Sequence, residues 1–318
     1  MAFEVLFNKY TNYLKLKNYS SGTIHRYSGE LKEFKNYLLE EKGIERIQDV
    51  TKAVLTDYQN KVYSKNRLKD NAPLSLSSKT LKLIAVKNFF SFLARKAEIL
   101  YNPAFDMDLP KARRDGLKEV LKESQIKKIL ESIKGKTPVE LRDRAILELL
   151  YSTGMRNSEL RSLEKCDIDL EKEEVRIRHG KGYFGHKERV LPIGRLACAC
   201  LEAYEREARP KLLETLIKKG VRKYPTAFFI TKSGRPLRIE TPTDIFKKYA
   251  ALSHIKTKVY AHLLRHSCAT HLLEHGADIR HVQEILGHAS LDSTRVYTKI
   301  TIGHLKKIHQ KTHPRERQ

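Results

Sequence analysis

Cysteine is scarce in this chain and poorly placed for metal or disulfide chemistry. The four in 318 residues are Cys166, Cys198, Cys200 and Cys268. None forms a CxxC pair, and Cys198 and Cys200 fall in an apolar helical run, so buried reduced thiols are expected rather than zinc ligands or a disulfide framework. Long hydrophobic runs are missing as well. No segment reaches the ~20 apolar residues of a membrane-spanning helix, and the start, MAFEVLFNKY, lacks the pattern of a secretion signal. Internal repeats are absent, as is low-complexity sequence outside a charged carboxyl-terminal tail. Acidic residues are in short supply: 38 Asp and Glu stand against 62 Lys and Arg, a formal charge of +24. Solubility alone does not call for that excess, and a polyanion is its natural partner. A cytoplasmic protein associated with the nucleoid, with no membrane partner, is the expectation.

The basic residues interleave with apolar ones through nearly every helical segment, which places positive charge on folded faces rather than on a disordered arm. Ile24, Tyr27, Leu31, Phe34 and Leu38 repeat at spacings of three and four, the apolar stripe of an amphipathic helix. Ser20 or Ser21 caps its start, and His25, Arg26, Lys32 and Lys35 lie on its other face. A second stripe, Leu83, Val86, Phe90 and Leu93, follows Ser77 and Ser78, with Lys79, Lys82 and Lys87 directed mainly away from it. With shorter helices near 2–16 and 51–64, residues 1–100 read as an all-helical domain. YNPAFDMDLPKARRDG, residues 101–116, holds two prolines, a glycine and a basic cluster and reads as an exposed linker. Residues 117–318 form the second domain. Helices are expected near 123–134, 139–152, 195–219, 241–252, 261–275, 278–287 and 291–298, and DIDL, EVRIR and ERVLPI read as three short antiparallel strands. The fold class is mainly α with a small antiparallel β-sheet.

Four stretches could carry chemistry. In AHLLRHSCATHL, residues 261–272, His262 and Arg265 are three apart on an otherwise apolar helix. A buried unpaired guanidinium costs several kcal/mol, roughly, so Arg265 requires an anionic partner. Taken alone, a surface histidine beside a salt-bridged arginine is the plainer reading, and His266 and His271 read as packing residues. TGMRNSEL puts Arg156 after a glycine turn at a helix start, where backbone N–H groups favour anions. Glu159, one turn on, holds that guanidinium or simply pairs with it on the surface. HGKGYFGHK carries Lys181 between two glycines, either an exposed turn lysine or a phosphate contact or proton donor, with Lys187 as the near alternative. LGHASLDSTRVYTK places His288 at a helix end and Tyr297 nine residues on. A phenol has a pKa near 10, roughly, and attacks only where positive charge or a base helps remove its proton. By itself Tyr297 reads as a packed aromatic.

In this order, Arg in TGMRNSEL, Lys in a β-hairpin, HLLRHS, LGH and Tyr resemble the tyrosine recombinase (phage integrase) family, most closely its Xer-like branch. The likeness is densest over 141–193 and 260–299. It implies a helical core-binding domain followed by a catalytic domain, both engaging double-stranded DNA as a clamp. It implies that Arg156 and Arg265 grip the scissile phosphate, Tyr297 attacks phosphorus, Lys181 protonates the leaving 5′ oxygen, His262 assists proton transfer, His288 hydrogen-bonds the phosphate and Glu159 supports Arg156. No cofactor and no metal ion are implied, since arginines neutralise the charge and no carboxylate cluster suits two-metal chemistry. A homotetramer pairing two DNA sites through a Holliday junction follows from the same resemblance, with or without a paralogous recombinase. The chain lacks an extra amino-terminal domain of the size that arm-site-binding integrases carry, which leans toward a simple Xer-like resolvase. A type IB topoisomerase and a non-catalytic DNA-binding architectural protein stay open as alternatives.

Overall fold

Hydroxyl side chains open the helices of the amino-terminal half. Ser20 accepts from the Thr23 N–H at 3.1 Å, Thr51 from Val54 at 3.4 Å and Ser75 from Ser78 at 3.2 Å, each satisfying one of the donors a helix start leaves unpaired. They begin α2 (Ser21–Asn36), α3 (Lys52–Ser64) and α4 (Leu76–Arg95), which join α1 (Phe3–Leu16). The cap of α4 thus lies just ahead of Ser77 and Ser78. The computed structural model describes residues 3–67, 71–110, 120–178, 188–217, 220 and 224–287. It divides into two units, Met1–Gly116 and Leu117–Gln318.

In the first unit the α2 stripe deepens along the helix: Ile24 and Tyr27 are half-buried, while Leu31, Phe34 and Leu38 are enclosed. They meet Leu83, Val86, Phe90 and Leu93 of α4 in a core rich in aromatic rings, for example Phe34 edge-on to Tyr58 at 4.8 Å, a favoured geometry for ring quadrupoles. Two expectations are corrected here. Lys82 does not face away from the stripe; it is buried, and its ammonium bridges Glu30 at 2.6 Å and Glu33 at 2.7 Å on α2. Its aliphatic stem can lie on apolar surface while the head finds carboxylates, so charge alone misplaced it. The early part of the segment read as an exposed linker is also packed. Ala104 and Met107 belong to the core, and the carbonyls of Met107 and Asp108 accept from Lys87 and Gln59 at 2.7 and 2.8 Å. Leu100, Tyr101 and Phe105 are exposed as expected, and residues 111–119 lie outside the described residues.

The second unit is arranged around α6 (Pro138–Thr153). Thr137 caps it, accepting from Glu140 at 3.2 Å, and Pro138 occupies the first turn, where its missing N–H costs nothing. Ala145, Ile146, Leu147, Leu149 and Leu150 are all buried, the all-round apolar character of a central helix. Around it lie α5 (Glu123–Glu131), α7 (Asn157–Ser162), α8 (Arg195–Ala203), α9 (Arg209–Ile217), α10 (Thr241–Leu252) and α11 (Ala261–Glu274), with α12 (Ile279–Leu286) packed on α11. A π-helical turn, Tyr204–Ala208, joins α8 to α9.

The strands are β1 (Ile168–Asp169), β2 (Glu174–Ile177) and β3 (Arg189–Pro192), antiparallel in that order. Val175 opposes Leu191 and Ile177 opposes Arg189. Val175, Ile177 and Leu191 are buried, whereas Val190 is exposed, so by strand alternation Arg189 projects toward the core side. Cysteine burial is graded rather than uniform: Cys268 is buried, Cys198 and Cys200 are half-buried and Cys166 is exposed, with the Arg178 guanidinium 2.8 Å from its sulfur. Among the described residues no helix is long and apolar enough to cross a membrane.

Because Lys82 lies between two carboxylates, Lys82→Ala takes from Glu30 its Lys82 partner and leaves Glu33 paired with Lys65, at 2.8 Å. We expect it to cost about 1–3 kcal/mol of stability, read as a lowered urea midpoint at unchanged slope.

Candidate active site

The turn after α6 requires glycine. Gly154 has φ +60° and its N–H closes the helix on Leu150 O at 3.1 Å. A Cβ there would approach Leu286 Cδ2 to 3.0 Å and Cys268 Sγ to 3.3 Å. Cys268 fills this corner as a neutral packing residue, its thiol pushed up to about 12 by burial. Two residues later Arg156 occupies the position just before α7. Its backbone N–H donates to Glu159 Oε2 at 2.8 Å and its Nη1 to Oε1 at 2.9 Å, so one carboxylate fixes both ends of the residue. Nη2 donates to Gly287 O at 2.8 Å. The Arg156 side chain is 23% exposed, which leaves it open to a ligand.

Arg265 comes from α11 and is 5% exposed. Its Nη1 donates to Gly154 O at 2.7 Å and its Nη2 to Leu286 O at 2.6 Å. Two of the acceptors this buried guanidinium uses are the carbonyls at the carboxyl-terminal ends of α6 and α12. Helix ends leave carbonyls without partners and carry partial negative charge, so these two help to accommodate the cation. Hydropathy along α11 could not show this, because these two acceptors are backbone.

The sequence reading missed Arg189, although its strand alternation offered a signal: in ERVLPI, Arg189 shares a face with Leu191 and Ile193 and so needs a buried counter-charge. Nη1 and Nη2 donate to Glu159 Oε1 and Oε2 at 3.1 and 2.9 Å, the bidentate fork that suits a carboxylate, and Nε donates to Ile285 O at 3.3 Å. Glu159 itself is 1% exposed. Burial alone would push its carboxyl up, but the hydrogen bond from Arg189, the Arg156 N–H and both guanidinium charges hold it below the usual carboxylate range. Ile285, Leu286 and Gly287, consecutive at the end of α12, thus accept from Arg189, Arg265 and Arg156 respectively.

The structure therefore brings together Arg156, Glu159 and Arg265. His262 is exposed, one turn before Arg265 on α11. His266 and His271 are buried, and His271 Nδ1 shares a 2.9 Å hydrogen bond with the Tyr151 hydroxyl, in keeping with packing roles. Lys181, the alternative Lys187, His288 and Tyr297 lie outside the described residues. The chain segment bearing Lys181 leads into β3 just before Arg189, and His288 follows Gly287 directly.

A sequence profile of the phage integrase family matches residues 119–304, and one of the phage integrase amino-terminal SAM-like domain matches residues 7–97. The chain belongs to the phage integrase family, the tyrosine recombinases. Curated relatives place it on the Xer-like branch: it is 40% identical over 301 residues to tyrosine recombinase XerC 2 of Ralstonia nicotianae, covering 95% of this chain and 83% of that one. It is 35% identical over 297 residues to tyrosine recombinase XerD of Listeria monocytogenes, covering 93% and 94%. Among solved structures it resembles the XerH recombinase in a pre-cleavage complex with difH substrate, at TM-score 0.64 and 25% identity, covering 90% of this chain and 78% of that one. Lambda integrase in a tetramer bound to a Holliday junction shares the fold at TM-score 0.66 and 16% identity, covering 93% and 77%. As a member of this tyrosine recombinase family the protein is an enzyme of site-specific DNA recombination, and its mainly helical fold with a small antiparallel sheet is the one its sequence implies.

Glu159→Gln keeps the shape but leaves two guanidiniums around a neutral amide. We expect it to cost about 3 kcal/mol at neutral pH. A carboxyl held low in the fold contributes stability above its unfolded value and loses it as pH falls through the lowered value, so the gap in melting temperature between the native chain and the variant should close only below about pH 4.

Proposed function

We propose that the recombination reaction runs through Tyr297 as nucleophile on a phosphate held by Arg156 and Arg265. The observation that supports this reading is their convergence: two arginines 109 positions apart in the sequence end on the adjacent carbonyls of Leu286 and Gly287, at the threshold of the segment that carries His288 and Tyr297. In the forward step the Tyr297 phenolic oxygen forms a bond to phosphorus as the bond to the 5′ oxygen breaks. The phenol proton passes to a neighbouring base, for which His262 is placed at an exposed position on α11. Lys181 donates a proton to the departing 5′ oxygen, and His288 hydrogen-bonds a non-bridging oxygen. The guanidiniums neutralise the charge that accumulates on the pentavalent phosphorus. The phosphodiester energy is retained in the 3′-phosphotyrosyl bond, so a 5′ hydroxyl from a second strand reverses the step with no ATP and no metal ion.

We assign residues 1–100 to a DNA-binding domain, 101–116 to the connection and 117–318 to the catalytic domain. The exposed His25, Arg26 and Lys32 of α2 suit the duplex backbone, whose charge dominates affinity. Our reading further has four protomers pairing two sites through a Holliday junction, with a paralogous recombinase as one way to fill two of the four places, in the cytoplasm at the nucleoid. Ile302, Leu305 and Ile308 are three apart in the tail and suit a short amphipathic helix seated on a neighbouring protomer.

Incubation with a nicked suicide duplex should trap a covalent protein–DNA complex with the native chain and none with Tyr297→Phe, while Arg265→Ala lowers the trapping rate by about 10²–10³-fold. A covalent complex that persists in Tyr297→Phe would overturn the assignment of the nucleophile. Deleting residues 302–318 should weaken pairing of two sites more than binding to one, compared in a synapsis assay and a band-shift titration; equal losses argue against docking of the tail.

A further inference from the structure

We propose that Arg189 is a positioning residue for strand transfer: it engages both oxygens of Glu159, so that Arg156 is oriented without being neutralised, and it ties the start of β3 to the end of α12. The proposal rests on the reading of Arg156 as a phosphate-gripping residue.

Three features of the site support it. The first is charge. A single buried carboxylate beside Arg156 alone would form a neutral pair and leave little attraction for a phosphodiester. Arg189 makes this a cluster of two guanidiniums and one carboxylate, which retains one positive charge, and Arg265 joins it through the end of α12. The second is geometry. Arg156 contacts only Oε1 through its side chain, whereas Arg189 reaches Oε1 and Oε2 together. The Arg156 backbone N–H holds Oε2 as well, and the Arg189 fork, the one side chain among the described residues on both oxygens, fixes the carboxylate plane against which the Arg156 guanidinium is oriented. The third is connectivity. Arg189 is the first residue of β3, directly after the segment carrying Lys181, and it also donates to Ile285 O. Gly287, at φ +62°, passes so close that a Cβ there would stand 2.9 Å from Arg189 Cζ. The guanidinium plane thus forms part of the seat for the residue preceding His288. Lysine offers a point charge without the fork, and glutamine offers neither charge nor fork.

Among the described residues the charged groups that face Glu159 are Arg156 at the start of its own helix and Arg189 from β3; α12 meets the same two guanidiniums with backbone carbonyls. Without Arg189 the effect of burial on Glu159 is less strongly opposed, so the carboxyl takes up a proton at higher pH. A protonated Glu159 holds Arg156 less firmly, and cleavage acquires an acid limb that the native enzyme shows only at lower pH.

The test is covalent cleavage of a nicked suicide duplex by the full chain and by Arg189→Gln, Arg189→Lys and Arg156→Ala. The saturated rate, the half-saturating DNA concentration and the melting temperature are measured across about pH 5–9. Arg189→Gln should lower the saturated rate about 10²-fold with half-saturation nearly unchanged, and its activity should fall toward acid at a higher pH than native. Arg189→Lys should recover about tenfold of the loss, because the charge is kept and the fork is not. Native rates in Arg189→Gln, with Arg156→Ala inactive, overturn the role of Arg189 and leave the phosphate reading intact. Native rates in Arg156→Ala overturn both. A shared drop in melting temperature with a shared rise in the half-saturating DNA concentration in both Arg189 variants, with the native pH profile, reduces Arg189 to a structural residue. Should Arg189→Gln fail to fold, the pH profile of Arg189→Lys decides: an acid limb at the native position overturns the proposal.

Discussion

The carboxyl-terminal end of α12 is the constraint on which the site depends. A helix end presents carbonyls that its own turns cannot satisfy, and burying them without donors is costly. Here Ile285, Leu286 and Gly287 each receive an N–H from a different arginine, supplied by β3, α11 and the start of α7. The dependence runs both ways. The carbonyls hold three long cationic side chains in defined directions, and those side chains fix where the chain stands as it leaves α12 toward His288. Arginine suits this task because its guanidinium carries several donors in one plane. Arg156 can therefore bond a carboxylate and a carbonyl at once, whereas an ammonium has no plane with which to aim them.

Charge on this molecule works at two levels. The formal excess of +24 is spread over exposed helix faces, where it attracts a polyanion and where salt screens it. The charges near Glu159 are enclosed, so screening reaches them far less, and their sum at short range decides what the site holds. A lone arginine beside a lone glutamate would be electrically spent. Two arginines sharing the 1%-exposed Glu159 keep the carboxylate ionised and the cluster positive. The surface charges suit a polyanion at a distance; the enclosed ones suit a single anionic group at close range.

How far the sequence disclosed this arrangement follows from what each residue interacts with. Side-chain periodicity exposed the α2 and α4 stripes, the three strands and α6, because burial of apolar side chains is a local signal with a fixed period. Arg156, Glu159, His262 and Arg265 stood out for a different reason: their order resembles that of the tyrosine recombinase family. Lys82 was misread because a lysine stem fits an apolar face once Glu30 and Glu33 wait on the next helix, a tertiary fact. Residues 102–110 were misread because prolines and charges look like linker, although Ala104 and Met107 are what the amino-terminal core uses. Two partners of Arg265, Gly154 O and Leu286 O, were hidden because they are backbone atoms that no residue type reveals. Arg189 stood between these cases: its alternation with Leu191 and Ile193 marked an inward charge, but only the fold supplies Glu159 to meet it.

The helix end also separates two requirements that the reaction places on one short stretch of chain. Tyr297 lies nine residues beyond His288, and nine residues fully extended span about 30 Å, so a tether of that length by itself leaves the phenol far from determined. What the end of α12 fixes is the origin of the tether relative to Arg156 and Arg265. Where the phenol arrives depends on how the following segment packs. Changes at Gly287 therefore act on the arginines and on the tether origin together, because Gly287 is bonded to Arg156 and pressed against Arg189. With Tyr297 as the proposed nucleophile, changes within 289–296 lie on the tether and beyond its origin.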